Sequence, residues 1–185
     1  MENEILKGDR LYLRKMTLDD SALIVAWRNQ DWVRKNYIYR EQFTLDGQKA
    51  YFHNKIETGE VLQFIVCELE NDRPVGCTIL NDFDYGNGHA EYGMFLGERT
   101  AAGKGYSSEM VRLTLHYAFA DLRLKRVVCR IFTDNIPSIK GCERGGFRIA
   151  DTMPDVECSD GTVKDMYLLE AHSRDFLASQ EESAE

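Results

Sequence analysis

The stretch Ala90-Glu91-Tyr92-Gly93-Met94-Phe95-Leu96-Gly97-Glu98-Arg99-Thr100-Ala101-Ala102-Gly103-Lys104-Gly105-Tyr106-Ser107-Ser108 decides how the chain is read. Its first half is patterned as a strand. Beyond it Tyr106, Met110, Leu113, Tyr117 and Ala120 recur at helical spacing, which predicts an amphipathic helix over 105–120. Between strand and helix lies a glycine loop. Small residues there let backbone N–H groups close around an anion, and the helix N-terminus adds unpaired donors and partial positive charge. A pyrophosphate suits such a loop. The P-loop pattern fails, because Gly97 is one residue too far from Gly103 and Lys104 is followed by Gly105. The dinucleotide fingerprint fails because Ser108 occupies its third glycine position. Neither ATP nor a nicotinamide cofactor is supported, and a glycine-rich turn without a ligand stands beside the anion-binding reading.

Working toward the N-terminus, strands are predicted over 62–70, 75–84 and 90–96, with turns at 71–74 and 86–88, giving an antiparallel meander. Arg10-Leu11-Tyr12-Leu13-Arg14 alternates as a half-buried strand, and Thr17 caps a first helix reaching about Trp27. Residues 29–43 show no clear period and read as a loop or broken helix, before a second capped helix over 44–57. On the C-terminal side, 127–132 is a buried strand and a short helix over 137–144 stops at Gly145-Gly146. Strands over 147–151 and 162–169 close the chain. The expected architecture is one α/β domain over 1–178: a mixed, mostly antiparallel twisted sheet of about six to seven strands with one parallel crossover, flanked by about four helices. Residues 179–185 are expected to be an acidic polar tail.

Composition narrows the function classes. The chain has 185 residues, 43% hydrophobic and 29% charged, enough for one core without disulfides. No apolar run approaches the roughly 18 residues that a membrane span needs. The acidic start Met1-Glu2-Asn3-Glu4 is unlike a signal or transit peptide, so a cytoplasmic location is expected. A net charge of −8 argues against nucleic-acid binding, which needs clustered Lys and Arg, and suits an amine-bearing partner. The five cysteines, odd in number and without a C-x-x-C pair, read as reduced and mostly buried. His53, His89, His116 and His172 lack metal-ligand spacing, so no metal is expected.

The segments 90–97 and 103–109, with Asn135 and Gly146-Phe147, resemble the GNAT superfamily of acetyl-CoA-dependent N-acetyltransferases. Within it the likeness is to the ribosomal-protein N-terminal (Ala/Ser) acetyltransferases and to related enzymes of amino-sugar nucleotides and polyamines. It spans Arg10 to about Leu169, and the order of elements is the one read above. The resemblance implies that Ala102, Gly103, Lys104, Gly105, Tyr106, Ser107 and Ser108 cradle the pyrophosphate of acetyl-CoA. Ala102 stands where the family has Arg or Gln, and Ser107 where it has a smaller residue; backbone donors do most of the holding. Met94, Phe95 and Leu96 would hydrogen-bond the pantetheine arm like an added strand, splaying from the next strand. Asn135 would bond the arm from the other side, a role compatible with capping the following helix.

Direct attack by an amine requires a neutral amine, a polarised thioester carbonyl and a proton for the departing thiolate. The resemblance points to Glu91 for the first role; the plainer reading is a strand residue opposite a basic neighbour. A backbone N–H near Met94 or Phe95 would polarise the carbonyl. For the third role the family has a Tyr seven positions after the Asn, where this chain has Cys142. Cys142 would donate through a water or be a small buried residue; no paired base marks it as a nucleophile. The run Arg123, Lys125, Arg126, Arg130 reads as a solvated face, with a contact to the CoA 3′-phosphate as the lesser alternative. The acceptor would meet Trp27, Arg28 and Asn29, a triplet like that of amino-sugar-nucleotide acetyltransferases, while Arg28, Arg34, Lys35 and Arg40 suit an acidic or phosphate-bearing acceptor. Ordinary packing is the alternative for each. Three functions stay open: an N-acetyltransferase of a protein N-terminus, the same chemistry on an amino-sugar nucleotide, polyamine or aminoglycoside, and a CoA-binding module without turnover. A homodimer is a family expectation only.

Overall fold

The computed structural model describes residues 4–184. One eight-stranded sheet has the order β1-β2-β3-β4-β5-β6-β8-β7. Its strands are β1 (Glu4–Lys7), β2 (Leu11–Lys15), β3 (Leu62–Glu68), β4 (Pro74–Asp84), β5 (His89–Leu96), β6 (Arg126–Phe132), β7 (Arg148–Glu157) and β8 (Val163–His172). All neighbours run antiparallel except β5 and β6, which are parallel. The helices are α1 (Ser21–Arg28), α2 (Asp31–Arg34), α3 (Leu45–Tyr51), α4 (Tyr106–His116), α5 (Ile136–Gly145) and α6 (Ser173–Ala184). Both α3 and α4 end in a wider π turn, over Phe52–Ile56 and Tyr117–Asp121.

Side-chain alternation along β5 sorts the two faces. Ala90 and Tyr92 point into a core with Val111 and Leu115 of α4, Ile139 and Cys142 of α5, and Phe176 of α6. Phe95 points the other way, into a cluster with Ile24 and Trp27 of α1, Val33 of α2 and Cys77 of β4. Helix α5 approaches α4 closely because it carries glycine where the two touch. A Cβ on Gly141 would lie 2.6 Å from the Cβ of Ser107, and one on Gly145 would lie 2.3 Å from Val111 Cγ1. This spacing of four residues puts both glycines on one helical face.

Three expectations are corrected. The sheet has eight strands; β1, four residues long, is too short to display a period of two. Among the described residues there are six α-helices, and α6 runs from Ser173 to Ala184, into the acidic polar segment. Its mostly polar sequence hides the apolar anchor Phe176, whose ring meets Phe119 at 5.6 Å. The last two strands are longer than expected because β7 is an almost wholly exposed edge strand, without the apolar alternation that would mark its extent.

Candidate active site

The parallel pair is the fault line of the sheet. Register partners join β5 and β6 only at His89/Arg126, Ala90/Val127 and Glu91/Val128. Beyond Glu91 the strands part, β5 still bonded to β4 and β6 to β8. The segment from Tyr92 to Leu96 thus has no strand partner on its β6 side and borders a wedge-shaped opening. At its wide end stands the glycine loop.

Two buried carboxylates fasten that loop and the helix behind it. Glu109 Oε1, on a residue 3% exposed, accepts from the backbone N–H groups of Arg10 at 2.8 Å and Leu11 at 3.0 Å. Arg10 Nη1 in turn donates to the carbonyl of Lys104 at 2.8 Å. Glu68 Oε1 accepts from Tyr106 Oη at 2.9 Å and from Lys104 Nζ at 3.1 Å. Burial would raise the Glu68 carboxyl, but hydrogen bonds from Arg73, Lys104, Tyr106 and Asn71 outweigh it and hold the group at about 2. The side chains of Lys104 and Tyr106 are therefore anchors, and what they leave for a ligand is their backbone. Gly103 and Gly105 take φ of +77° and +74°, the left-handed conformation that lets the loop turn into α4. Helix α4 starts with no side-chain cap, so its first N–H groups are free for an anion. A Cβ on Gly103 would meet nothing within 4 Å, so the loop faces open space. This donor set fits a pyrophosphate.

Asn135 stands at the N-cap of α5, yet its side chain makes no capping bond and remains available to a ligand. Cys142 is 1% exposed on the inner face of α5, in the same core as Cys129. Burial pushes the Cys129 thiol well up, and the contact with Cys142 adds to the shift. Nearby, the Tyr92 hydroxyl is buried without a hydrogen-bond partner, a residue the sequence reading assigned no role. Burial raises it well above 10, with Cys142 and Cys129 adding to the shift, so the phenol keeps its proton.

On the opposite face Glu91 is held in a two-point ion pair, Arg130 Nε at 3.0 Å and Nη2 at 2.9 Å. The basic run thus contributes a partner for Glu91. Next along that face, a Cβ on Gly93 would meet nothing within 4 Å, which marks an open groove beside the strand. Asn81 is the register partner of Glu91, and it lines a cleft of about 410 Å3 with Tyr51, Asp82, Phe83 and Tyr85.

The expected acceptor triplet separates into different tasks. Trp27 is 2% exposed; its indole N–H donates to Glu98 Oε1 at 2.8 Å and its ring meets Phe95 edge-on. Asn29 donates to the Phe43 carbonyl at 2.8 Å and accepts from the Phe43 N–H at 2.7 Å, closing the loop between them. Through these contacts both side chains hold the wall in shape. Between them in the chain, Arg28 places its guanidinium 3.3 Å from the centre of the Tyr37 ring and 4.6 Å from that of Phe43. Tyr37 Oη donates to the Met94 carbonyl at 3.4 Å; burial pushes this phenol up to about 12 although Arg28 pulls it down. Arg40 ties the same segment to the β7–β8 turn, donating to Asp160 Oδ2 at 2.6 Å and Thr162 Oγ1 at 2.8 Å. Arg34 pairs with Asp31 at 2.7 Å. Among the described residues no group of three or more His, Cys, Asp or Glu could hold a metal ion, and no helix is long and apolar enough to cross a membrane.

Comparison with known proteins gives a consistent answer. Residues 10–148 match the family model described as an acetyltransferase (GNAT) domain. An uncharacterized N-acetyltransferase p20 of Bacillus licheniformis is 31% identical over 177 residues, 94% of this chain and 98% of that one. A probable N-acetyltransferase, YjcK of Bacillus subtilis, is 26% identical over 150 residues, covering 77% and 83%. Among solved structures, the spermidine N-acetyltransferase of Vibrio cholerae in complex with CoA and spermine superposes with a TM-score of 0.84 at 18% identity, covering 92% of this chain and 99% of that one. A GNAT-family acetyltransferase from Bacillus anthracis gives a TM-score of 0.78 at 23% identity, covering 91% and 98%. The likeness is to the superfamily, and none of these relatives singles out the ribosomal-protein group.

Proposed function

Because the chain belongs to the GNAT acetyltransferase family, we propose that it transfers the acetyl group of acetyl-CoA to a primary amine at the wedge between β5 and β6. The observation that carries this reading is the three-residue limit on β5–β6 pairing beside an uncapped α4. The backbone of 102–108 takes the pyrophosphate, and the free edge of Met94, Phe95 and Leu96 takes the pantetheine arm, with the Asn135 amide on its far side. Acetyl-CoA supplies the thioester; the protein positions it and handles protons. A backbone N–H of the free β5 edge near Met94 or Phe95 polarises the carbonyl; as the C–N bond forms the C–S bond breaks, and the CoA thiolate leaves and takes a proton from solvent water. The attacking amine, with an ordinary pKa of about 10, reaches its neutral form by passing a proton to Glu91, directly or through water in the groove at Gly93. The ion pair with Arg130 keeps that carboxylate in place.

Cys142, enclosed by the core, serves as a small packing residue on α5 in this scheme, with no role as a nucleophile. For the acceptor, the protein N-terminal amine and a small-molecule amine share the same chemistry. A polyamine is the second reading, supported by the spermidine N-acetyltransferase that shares this fold. A cytoplasmic location accords with all of them.

The test is thiol release from acetyl-CoA with a Ser- or Ala-initiated peptide, spermidine, an aminoglycoside and a 4-amino-sugar nucleotide. It is paired with the Ser108→Asp variant. Asp at this position favours the α4 N-terminus by about 0.5 kcal/mol but repels a pyrophosphate. The expected result is a protein at least as stable as the wild type whose acetyl-CoA affinity falls about tenfold or more. Equal affinity in the variant would remove the loop from the binding site. Absence of a melting-temperature rise with millimolar acetyl-CoA would remove the function.

A further inference from the structure

Four charged side chains are buried among the described residues: Asp20, Arg28, Glu68 and Glu109. Three have opposite charges beside them. Asp20 meets Arg14 at 2.7 Å, Glu68 meets Lys104 at 3.1 Å and Arg73 at 3.2 Å, and Glu109 meets Arg10 at 3.3 Å. Arg28, only 7% exposed, has no carboxylate within ion-pair distance among the described residues, and its Nε is buried without a hydrogen-bond partner. Aromatic rings lie close to it: Tyr37 at 3.3 Å, Phe43 at 4.6 Å and Phe95 at 5.9 Å. Cation–π contact offsets part of the cost of burying a guanidinium, but it leaves Nε–H without an acceptor. An unpaired charge buried in a folded protein calls for an explanation.

Its position supplies one. Tyr37, on which Arg28 stacks, donates to the carbonyl of Met94, and Met94 lies on the free edge of β5. Arg28 is thus one aromatic ring away from the strand at which the acetyl group would be presented. The groove over Gly93 runs along the same face, with Glu91 farther down it. We propose that Arg28 recognises an anionic group on the acceptor, so that the substrate is a primary amine that also bears a carboxylate or a phosphate. The inference rests on the acetyltransferase reading and specifies its acceptor. A guanidinium placed against aromatic rings offers a two-point contact to either anion. The surroundings favour the same charge. Within segment 28–43 the ion pairs Arg34–Asp31 and Arg40–Asp160 leave Arg28 and Lys35 against Glu41, a balance that suits an anion better than a polyamine with several cationic centres.

The experiment follows the Arg28 Nε–H resonance in isotope-labelled full-length protein saturated with CoA, assigned by its loss in Arg28→Met. Three probes are titrated: O-phosphoethanolamine, β-alanine and ethanolamine. A saturable shift with either anionic amine, absent with ethanolamine, is the expected result; which of the two binds tells phosphate from carboxylate. No shift with both anionic amines, or an equal shift with ethanolamine, overturns the proposal. Turnover gives the second readout. For any acceptor found by thiol release, the expected Arg28→Met variant keeps the wild-type acetyl-CoA affinity and loses about tenfold or more in kcat/KM through KM. Arg28→Lys recovers part of that loss. An unchanged kcat/KM in Arg28→Met, or spermidine as the best acceptor, also overturns it. Loss of acetyl-CoA binding by the wild type would instead defeat the underlying function, so the two failures are distinguishable.

Discussion

The two walls of the proposed site are built on different principles. The donor wall, from β5 through the 102–108 loop to α4, offers a ligand mainly backbone groups, and the side chains of Lys104, Tyr106 and Glu109 serve as fasteners. The acceptor wall, made by α1, residues 29–43 and the β7–β8 turn, offers side chains. A backbone wall depends on geometry, so many sequences can serve one cofactor. A side-chain wall depends on identity, and one residue changes what it recognises.

Breaking the donor wall should cost the most. Glu109→Ala leaves the Arg10 and Leu11 amides without their acceptor inside the protein, and urea unfolding is expected to show a loss of about 3 kcal/mol together with weakened acetyl-CoA binding. Acid should strain the same wall. The Glu68 carboxyl lies at about 2, below its ordinary 4.5, so its contribution to stability is complete above 4.5 and is lost as pH falls toward 2. Glu68→Gln is expected to flatten that part of the stability–pH profile.

The acceptor wall should answer more mildly and more selectively. Asn29→Ala frees both backbone groups of Phe43 and is expected to cost about 1–2 kcal/mol. Its expected signature is a raised acceptor KM beside an unchanged acetyl-CoA affinity; equal damage to both would erase the distinction between the walls. The smallest effect is expected where the core holds an orphan. Tyr92→Phe removes a buried hydroxyl that no protein group satisfies, and should leave stability unchanged or raise it by about 1 kcal/mol. A marked loss of turnover in that variant, with stability intact, would draw Tyr92 into the proton path to the leaving thiolate.

How far the sequence could be read follows the same division. The strand–loop–helix at 90–108 was legible because its signals are local: the strand patterning, Gly103 and Gly105 at the turn, and the period of Tyr106, Met110 and Leu113. Helices α1, α3 and α5 were legible for the same reason. The fastening of the loop was not, since Glu109 meets Arg10, and Glu68 meets Tyr106, across long separations in the chain. Nor was the division of labour within Trp27-Arg28-Asn29, which depends on Glu98 and Phe43 folding back onto that triplet. Strand β1, the full reach of β7 and helix α6 were missed because short, exposed or largely polar elements carry too few apolar positions to reveal a period.

The three-residue seam between β5 and β6 has a mechanical meaning as well. It makes the sheet two plates, β1 to β5 and β6 to β8, riveted at one corner, with helices bridging the rest. A pantetheine arm laid along that seam would complete the lattice of hydrogen bonds and weld the plates into one cooperative unit.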